Sequence, residues 1–453
     1  MENMQNNINK DINKHKNKHV VVLSIDALVF EDLEYAKTLP NFKMLIENGA
    51  VIERIESIYP TVTHPVHASI MTGCPVGDTT VVSNLLFNEE IPNKRMRWFN
   101  FLDEVKCETI FHVAKKAGLT TAACTWPLTC NGGNVIDYLV PNTFGDYFNG
   151  FDNPLDAFRN VGAQECVIDI IDEAIKRYGY QEVYPDIDRF QIYCTCEIIK
   201  RFKPNLLLTH PCGVDNERHQ SGVFSDKLKP VIEEMDYLLG EIIKALKDAG
   251  IYDNTDIVFL SDHGQINITR VISPNVYLVD KGYITLDENN NIISWKAYNK
   301  SVGASSQVYL NKHDKLYNKT YDEVYNLLKE MAEEGIFGFS HVYTLSEVEE
   351  KYGLSGDFSF VLETDGYTSF GEYLVRPAVR NYDFTDYRYG RATHGYLPER
   401  GPQPTFVGCG PSFKKGEVVN KGSILDHAPT IAHILGLEMK NAKGKARKDI
   451  LND

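Results

Sequence analysis

The sequence lacks the long apolar run of a membrane-spanning protein and the excess of positive charge of a nucleic-acid-coating protein. Its apolar stretch at residues 20–30 contains Asp26 and falls short of the roughly 20 residues that cross a bilayer, so we expect no membrane span. Lys and Arg number 47 against 62 Asp and Glu, which gives a net charge of −15 and argues against neutralisation of a long phosphate backbone. A small anionic substrate is still compatible with this charge, provided that something local reverses the field.

We also expect neither a secretory signal nor a disulfide framework. The first 19 residues contain no apolar segment of roughly 7–15 residues, which a secretory signal requires. The nine cysteines are scattered without the paired spacing of a disulfide framework or a zinc ribbon. Both observations favour a reducing, cytoplasmic location.

Apolar runs that alternate with helical patterns predict an α/β fold with a mainly parallel sheet covered on both faces. The predicted core strands are residues 19–25, 205–210, 256–260 and 405–409. The predicted helices are residues 41–47, 109–116, 164–177 and 225–249.

Two stretches interrupt this alternation and divide the chain. Residues 132–184 are rich in Gly, Asn, Asp and Tyr, which predicts an insertion of loop and helix. Residues 271–389 mix short strands with a helix at 322–333, which predicts an inserted α+β subdomain. The remaining parts are a disordered tail at 1–18 and a discontinuous α/β catalytic core at 19–270 and 390–453.

Four short segments place carboxylates and imidazoles near the ends of predicted core strands. The candidate metal ligands in these segments are Asp26, Asp215, His219, Asp262, His263 and His394. Because sites in open α/β sheets gather outside the carboxyl ends of the strands, we expect these side chains to converge. A mixed set of oxygen and nitrogen ligands suits zinc or a similar divalent ion.

Each of these residues also has an ordinary structural explanation. Asp26 alone could cap a helix, and Asp262 could belong to a turn. Asp215 and His219 share a face only if their segment is helical, and the preceding Gly213 weakens that assumption. The metal interpretation depends on the whole set, because several independent coincidences would have to fall near strand ends.

Residues 59–73 contain the candidate nucleophile. Pro65 can lie in the first turn of a helix that Gly73 ends, which places Thr63 at the helix N-terminus. Free amides and the positive end of the helix dipole favour an anionic oxygen there, and coordination to a metal favours the alkoxide of a threonine. Thr63 could instead be a simple N-cap, and the spacing does not choose between Thr63 and Thr61 as the reactive hydroxyl.

This set of motifs resembles the nucleotide pyrophosphatase/phosphodiesterase family of the alkaline phosphatase superfamily. In that family the second threonine of Pro-Thr-x-Thr attacks phosphorus, so the resemblance selects Thr63 as the catalytic residue. Asn84 matches an asparagine that hydrogen-bonds a non-bridging phosphate oxygen, although an ordinary turn residue would also fit there. The metal ligands implied by the resemblance are Asp26, Thr63, Asp262 and His263 for one ion, and Asp215, His219 and His394 for the other.

The same resemblance implies a fold and an activity. The fold would be an alkaline-phosphatase-like three-layer sandwich with a mainly parallel central sheet and an inserted small α+β subdomain. The activity would be two-metal-dependent hydrolysis of phosphodiester or pyrophosphate bonds through a phosphothreonine intermediate. The cofactors would be two divalent ions, with Zn²⁺ expected and Mn²⁺ or another divalent ion as the alternative. The partner would be a small phosphodiester or nucleotide.

Departures from the family pattern concern the substrate. Nucleotide-cleaving members have aromatic rings at two positions where this chain has His64 and His210. These histidines could stack on a base, or they could be packing residues or residues that support the ligands of the site from behind. No Lys or Arg occurs between Arg54 and Lys94, around Thr63, which favours a diester over a monoester dianion. A phosphonate hydrolase or phosphomonoesterase of the same superfamily is the nearest alternative, followed by a phosphomutase and a non-catalytic protein that binds a phosphate ligand.

Overall fold

The computed structural model describes residues 17–94, 97–142, 151–179 and 184–452. The tail predicted at residues 1–18 lies almost entirely outside these ranges, and so does part of the 132–184 insertion.

The strands belong to one large central sheet and several small ones. The central sheet contains β1 (His19–Ser24), β2 (Ala50–Glu56), β3 (Thr121–Cys124), β4 (Tyr138–Val140), β5 (Leu206–Thr209) and β6 (Thr255–Leu260). The small sheets contain β7 (Ile266–Asn267), β8 (Arg270–Ile272), β9 (Ile284–Leu286), β10 (Ile292–Trp295), β11 (Ala297–Ser301), β12 (Ser305–Leu310), β13 (Phe339–Thr344), β14 (Phe360–Thr364), β15 (Thr368–Phe370), β16 (Val379–Arg380) and β17 (Ala392–Thr393). The chain then returns to the central sheet with β18 (Phe406–Cys409) and β19 (Val418–Ser423).

Helices lie between these strands. In chain order they are α1 (Leu33–Ala36), α2 (Pro40–Asn48), α3 (Thr63–Thr72), α4 (Val76–Thr79), α5 (Ile110–Lys116), α6 (Pro154–Asn160), α7 (Glu165–Tyr178), α8 (Asp186–Phe202), α9 (Gly213–Ser221), α10 (Leu228–Asp248), α11 (Pro274–Asp280), α12 (Tyr317–Glu334), α13 (Leu345–Tyr352) and α14 (His427–Ile434). Among the helices in the described ranges, none is long and apolar enough to cross a membrane.

The central sheet is mainly parallel, as predicted. Its strand order is β19-β2-β18-β6-β1-β5-β3-β4, and β18 is antiparallel to both of its neighbours. The neighbouring pairs on either side of β18 are parallel. The amino end of β18 therefore lies at the same edge as the carboxyl ends of β1, β5 and β6. Because β4 belongs to this sheet, part of the 132–184 stretch is core structure. The domain boundaries stay a prediction.

Alternate side chains of β1 point to opposite faces of the sheet and are buried on both. Val20 and Val22 pack in an apolar cluster with residues of α3, α5 and α14, whereas Val21 and Leu23 pack with residues of α2, α7, α8 and α10. Each such side chain contributes about 1.5–3 kcal/mol when it is fully buried. Two helical layers around one sheet confirm the predicted three-layer sandwich.

A second, antiparallel sheet lies within residues 271–389. Its order is β11-β12-β14-β13, and α12 packs against it in an apolar cluster of its own. The turn between β11 and β12 reaches back to the core, where Ala304 N donates to His394 O at 2.8 Å. The next residue, Gly395, donates its amide to Thr61 O at 2.9 Å. The small sheet therefore helps to hold the backbone around His394.

Gly73 ends α3 with a φ of 68°, as predicted, and a Cβ at this position would lie 2.7 Å from Ala442 Cβ. We expect Gly73→Ala to lower the free energy of unfolding by about 1–3 kcal/mol, because it adds backbone strain and a steric clash. Gly118→Ala is the matched control, since Gly118 has a φ of 74° but an added Cβ would meet nothing within 4 Å. Urea denaturation of both variants measures the difference, and equal losses would contradict a packing role for Gly73.

Candidate active site

Three strand ends and one helix bring six predicted side chains together at the carboxyl edge of the central sheet. Asp26 follows β1, Asp262 and His263 follow β6, Asp215 and His219 lie on α9, which follows β5, and His394 follows β17. They form two groups, one of Asp26, Asp262 and His263 and the other of Asp215, His219 and His394. Within each group the candidate ligand atoms lie within 4.8 Å of one another, and all six residues are buried.

In the first group, three side chains surround one small space. His263 Nε2 lies 3.5 Å from Asp26 Oδ1 and 3.3 Å from Asp262 Oδ2. The other oxygen of Asp262 accepts hydrogen bonds from the amides of Ala27 at 3.1 Å and His263 at 2.9 Å, which leaves Oδ2 facing the group. Thr63 Oγ1 lies 3.3 Å from the same His263 Nε2, so the candidate nucleophile borders this group.

The second group depends on the helical conformation of α9. Asp215 and His219 are four residues apart and share a face, with His219 Nε2 at 3.2 Å from Asp215 Oδ2. His219 Nδ1 donates to the backbone oxygen of Ala392 at 2.7 Å, which directs Nε2 toward the group. His394 Nε2 lies 3.9 Å from Asp215 Oδ1, and Gln265 Nε2 donates to that oxygen at 2.5 Å.

The two groups contain buried carboxylates that a nearby positive charge would stabilise. Burial and the neighbouring carboxylates of Asp215 and Asp262 raise the pKa of Asp26 well above its usual value. Burial opposes ionisation of Asp215 as well, but His219 and then His394 lower its pKa. Asp26 Oδ1, Asp262 Oδ2 and His219 Nε2 are buried and have no hydrogen-bond partner among the described residues. Carboxylate and imidazole atoms that converge in this way are a donor set that fits divalent metal ions.

The structure distinguishes the two candidate hydroxyls. Thr63 is the first residue of α3, so its side chain lies at the positive end of the helix dipole. Thr61 Oγ1 instead donates to the backbone oxygen of Tyr396 at 2.8 Å and accepts from the amide of Gly395 at 3.1 Å. Both hydrogen bonds occupy the Thr61 hydroxyl with backbone groups, while Thr63 borders the first group.

Of the three residues predicted to bind substrate, Asn84 lies beside the start of α3. Its Oδ1 accepts from His64 N at 2.9 Å, and its Nδ2 donates to the Tyr387 hydroxyl at 3.2 Å. The His64 ring lies 5.0 Å from the Trp98 ring between centroids. Burial, followed by repulsion from His210, lowers the pKa of His64 to about 3, so the ring is neutral at physiological pH.

His210 is buried, as His64 is. Its side chain is 1% exposed, Nδ1 donates to Ser24 O at 3.0 Å, and Nε2 lies 3.2 Å from Asp26 Oδ2. This histidine therefore contacts the first group of candidate ligands, as a residue that supports the ligands would.

Sequence reasoning missed three residues that border the site. Gln265 follows the Asp-His-Gly motif by one residue, and this proximity to Asp262 was the available signal. Trp98 and Tyr387 lie with their ring centroids 5.6 Å apart, and the Tyr387 ring is 5.7 Å from His219 and 5.9 Å from His394. No local pattern marks either aromatic residue.

Comparison with known proteins places this geometry in a family. The model of the family described as type I phosphodiesterase / nucleotide pyrophosphatase matches residues 20–397. A pyrophosphatase/phosphodiesterase of Schizosaccharomyces pombe is 28% identical over 255 residues, which are 54% of this chain and 44% of that protein. Human ectonucleotide pyrophosphatase/phosphodiesterase family member 5 is 23% identical over 425 residues, 92% of this chain and 74% of that protein. The bis(5'-adenosyl)-triphosphatase of Pongo abelii is 22% identical over 415 residues, 88% of this chain and 74% of that protein.

Solved structures show the same fold. Murine ectonucleotide pyrophosphatase/phosphodiesterase 5, as an inactive variant in complex with AMP, has a TM-score of 0.65 to this chain at 20% identity. The likeness covers 96% of this chain and 100% of the murine chain. The human counterpart has the same TM-score, identity and coverage. The predicted family and fold class are thus confirmed, and so is the predicted enzyme class: the chain belongs to the type I phosphodiesterase / nucleotide pyrophosphatase family.

Proposed function

We propose that this chain hydrolyses phosphodiester or pyrophosphate bonds of small molecules, with Thr63 as the nucleophile. The observation that carries the proposal is the position of Thr63 Oγ1, at the N-terminus of α3 and 3.3 Å from His263 Nε2. Membership of the type I phosphodiesterase / nucleotide pyrophosphatase family supports the same class of reaction.

The proposed cofactors are two divalent ions, for which zinc suits the mixed ligand set best. The ligands would be Asp26, Thr63, Asp262 and His263 for one ion, and Asp215, His219 and His394 for the other. Such ions favour the alkoxide form of a coordinated hydroxyl and stabilise negative charge on phosphoryl oxygens.

The chain's own groups would then carry out two displacements at phosphorus. Thr63 Oγ1 forms a bond to phosphorus while the bond to the leaving oxygen breaks, which gives a phosphothreonine. Water hydrolyses this ester in the second displacement and regenerates the threonine. The N-terminal end of α3 favours negative charge at the attacking oxygen, and Asn84 Nδ2 can donate to a non-bridging oxygen of the phosphoryl group.

The charges around the site support a diester rather than a monoester dianion. A dianion would gain from an additional cationic side chain, and several arginines were candidates for this role. The arginines in question are Arg97, Arg218, Arg388 and Arg391. Arg97 binds Glu104, Arg218 binds Asp32, and Arg388 binds Glu372 and Asp386. Arg391 lies over the ring of Tyr382 at 5.6 Å. The names of two relatives, a bis(5'-adenosyl)-triphosphatase and a phosphodiesterase bound to AMP, support a nucleotide-containing substrate. The cytoplasmic location stays a prediction.

A substrate panel tests the proposed bond type. We expect bis(p-nitrophenyl) phosphate or a nitrophenyl nucleotide ester to be cleaved with a kcat/KM at least about tenfold above that of p-nitrophenyl phosphate, because Arg97, Arg218 and Arg388 are paired with carboxylates and would not stabilise the dianion. A phosphonate and a pyrophosphate complete the panel, and released nitrophenol or phosphate is measured. Preferential cleavage of the monoester or the phosphonate would favour a phosphomonoesterase or a phosphonate hydrolase. Transfer of phosphate within one substrate, with no phosphate released, would favour a mutase.

Replacement of Thr63 tests the covalent mechanism. We expect Thr63→Ala to keep its bound metal but to lose roughly 10³-fold or more in turnover, because the nucleophile itself is removed. Thr63→Ser keeps a hydroxyl and should keep measurable turnover. Acid-quenched wild-type enzyme should contain phosphate at Thr63 by mass spectrometry, whereas an unimpaired Thr63→Ala enzyme would contradict the mechanism.

Metal analysis tests the two ligand groups independently of turnover. We expect two divalent ions per chain by elemental analysis, and EDTA should lower the melting temperature, because an ion that binds only the folded state stabilises that state. His394→Gln should leave one ion per chain. His427→Gln is the control, since His427 is a buried histidine on α14 outside both groups, and it should keep both ions. Unchanged ion content in His394→Gln would refute the assignment of that residue.

A further inference from the structure

Tyr387 lies between the start of the nucleophile helix α3 and the second group of candidate ligands. Its hydroxyl accepts a hydrogen bond from Asn84 Nδ2 at 3.2 Å, and Asn84 Oδ1 accepts from the amide of His64 on the nucleophile helix. On the other side, the Tyr387 ring lies 5.7 Å from the ring of His219 and 5.9 Å from that of His394. The tyrosine therefore borders the space between the nucleophile and the second group of candidate ligands.

The hydrogen bond between Asn84 and Tyr387 does not use the hydroxyl hydrogen of the tyrosine. Because Asn84 Oδ1 accepts from a backbone amide, the orientation of the side-chain amide is set, with its NH₂ group toward Tyr387. An NH₂ group only donates, so the phenol oxygen is the acceptor in this pair and its O–H hydrogen points elsewhere. A phenol has an ordinary pKa of about 10, so its O–H group is available as a donor at physiological pH.

The turn that contains Tyr387 is held by ion pairs and hydrogen bonds. The Arg388 guanidinium binds Glu372 at 2.5 Å and Asp386 at 2.9 Å, and Ser369 Oγ donates to the backbone oxygen of Arg388 at 2.5 Å. These contacts keep the backbone of the turn in place, while the Tyr387 side chain itself stays partly exposed. A donor that is held in position before the substrate arrives needs little reorganisation during the reaction.

We propose that Tyr387 donates its hydroxyl hydrogen to a non-bridging oxygen of the reacting phosphoryl group, next to Asn84 Nδ2. The proposal rests on the phosphoryl-transfer function above and adds a catalytic residue that no motif identified. No proton is transferred: the hydrogen bond strengthens as negative charge gathers on the equatorial oxygens in the transition state. A neutral donor also suits a diester, which carries a single negative charge on its non-bridging oxygens.

Tyr387→Phe tests this role, because it keeps the ring against His219 and His394 and removes only the hydroxyl. We expect kcat/KM for bis(p-nitrophenyl) phosphate to fall about 100-fold, mainly through kcat, which is the scale for one donor to a reacting oxygen. The content of two metal ions should not change. Tyr389→Phe is the matched control, since it removes a hydroxyl on the same turn whose ring packs on Tyr373 instead of the site, and it should keep wild-type turnover.

A stereochemical readout separates a hydrogen bond to phosphate from a structural role. The two diastereomers of a nitrophenyl nucleoside phosphorothioate place sulfur at one or the other non-bridging position, and sulfur accepts hydrogen bonds poorly. We expect the wild-type enzyme to cleave one diastereomer faster, and the ratio between the two rates to shrink at least about fivefold in Tyr387→Phe. The same ratio should persist in Tyr389→Phe.

The possible results are distinguishable from failure of the proposed function. Three outcomes with an active wild-type enzyme would overturn the role of Tyr387 and leave the proposed function in place. The Tyr387→Phe variant could be equally active, it could keep the wild-type diastereomer ratio, or it could lose bound metal. A metal-loaded wild-type enzyme that cleaves no substrate in the panel would overturn the proposed function and this inference with it.

Discussion

The burial of three carboxylates at one edge of the central sheet is the constraint on which the rest of this structure depends. Asp26, Asp215 and Asp262 are at most 8% exposed, and an uncompensated buried charge costs several kcal/mol. The neighbouring histidines relieve part of this cost, as the lowered pKa of Asp215 beside His219 indicates. The raised pKa of Asp26 indicates that the imidazoles alone do not compensate all three carboxylates. Divalent cations are the partners that would compensate them, so stability and the proposed chemistry would depend on the same two ions.

The sheet topology explains why these charges meet. β1 lies between β5 and β6, and neighbouring strands are about 4.8 Å apart, so side chains that follow adjacent strand ends come within the reach of one ion. Asp26 and Asp262 lie two residues after the ends of β1 and β6, while the turn after β5 leads into α9 with Asp215. The antiparallel direction of β18 brings its preceding loop to this same edge. The small sheet restrains the position of His394, since Ala304 N donates a hydrogen bond to its backbone oxygen.

Features encoded by local patterns could be predicted from the sequence, and features set by distant contacts could not. The core strands, the end of α3 at Gly73 and the strand-end positions of Asp26 and Asp262 follow from apolar periodicity and turn residues, and all appear in the structure. The strand β4 has only three residues, too few for a recognisable period within the 132–184 stretch. Tyr387 is placed by the contacts of its neighbour Arg388 with Glu372 and Ser369, which lie on a preceding segment of the small sheets. The direction of His210 depends on the packing of β5 against β1, so neither position follows from spacing.

The net charge of −15 is compatible with a phosphate-bearing substrate, because the acidic surface and the buried site act on a ligand at different distances. At physiological ionic strength, exposed charges are screened beyond about 8 Å, so the acidic surface acts mainly on a ligand that lies along it. A long nucleic acid would meet that surface over many phosphates and would be repelled. A small diester that enters the site would meet two dications that outweigh three carboxylates, with burial reducing the screening. The surface charge would therefore disfavour long polyanions, while the proposed ions would attract a single phosphoryl group, so the acidity of the chain fits the proposed preference for small substrates.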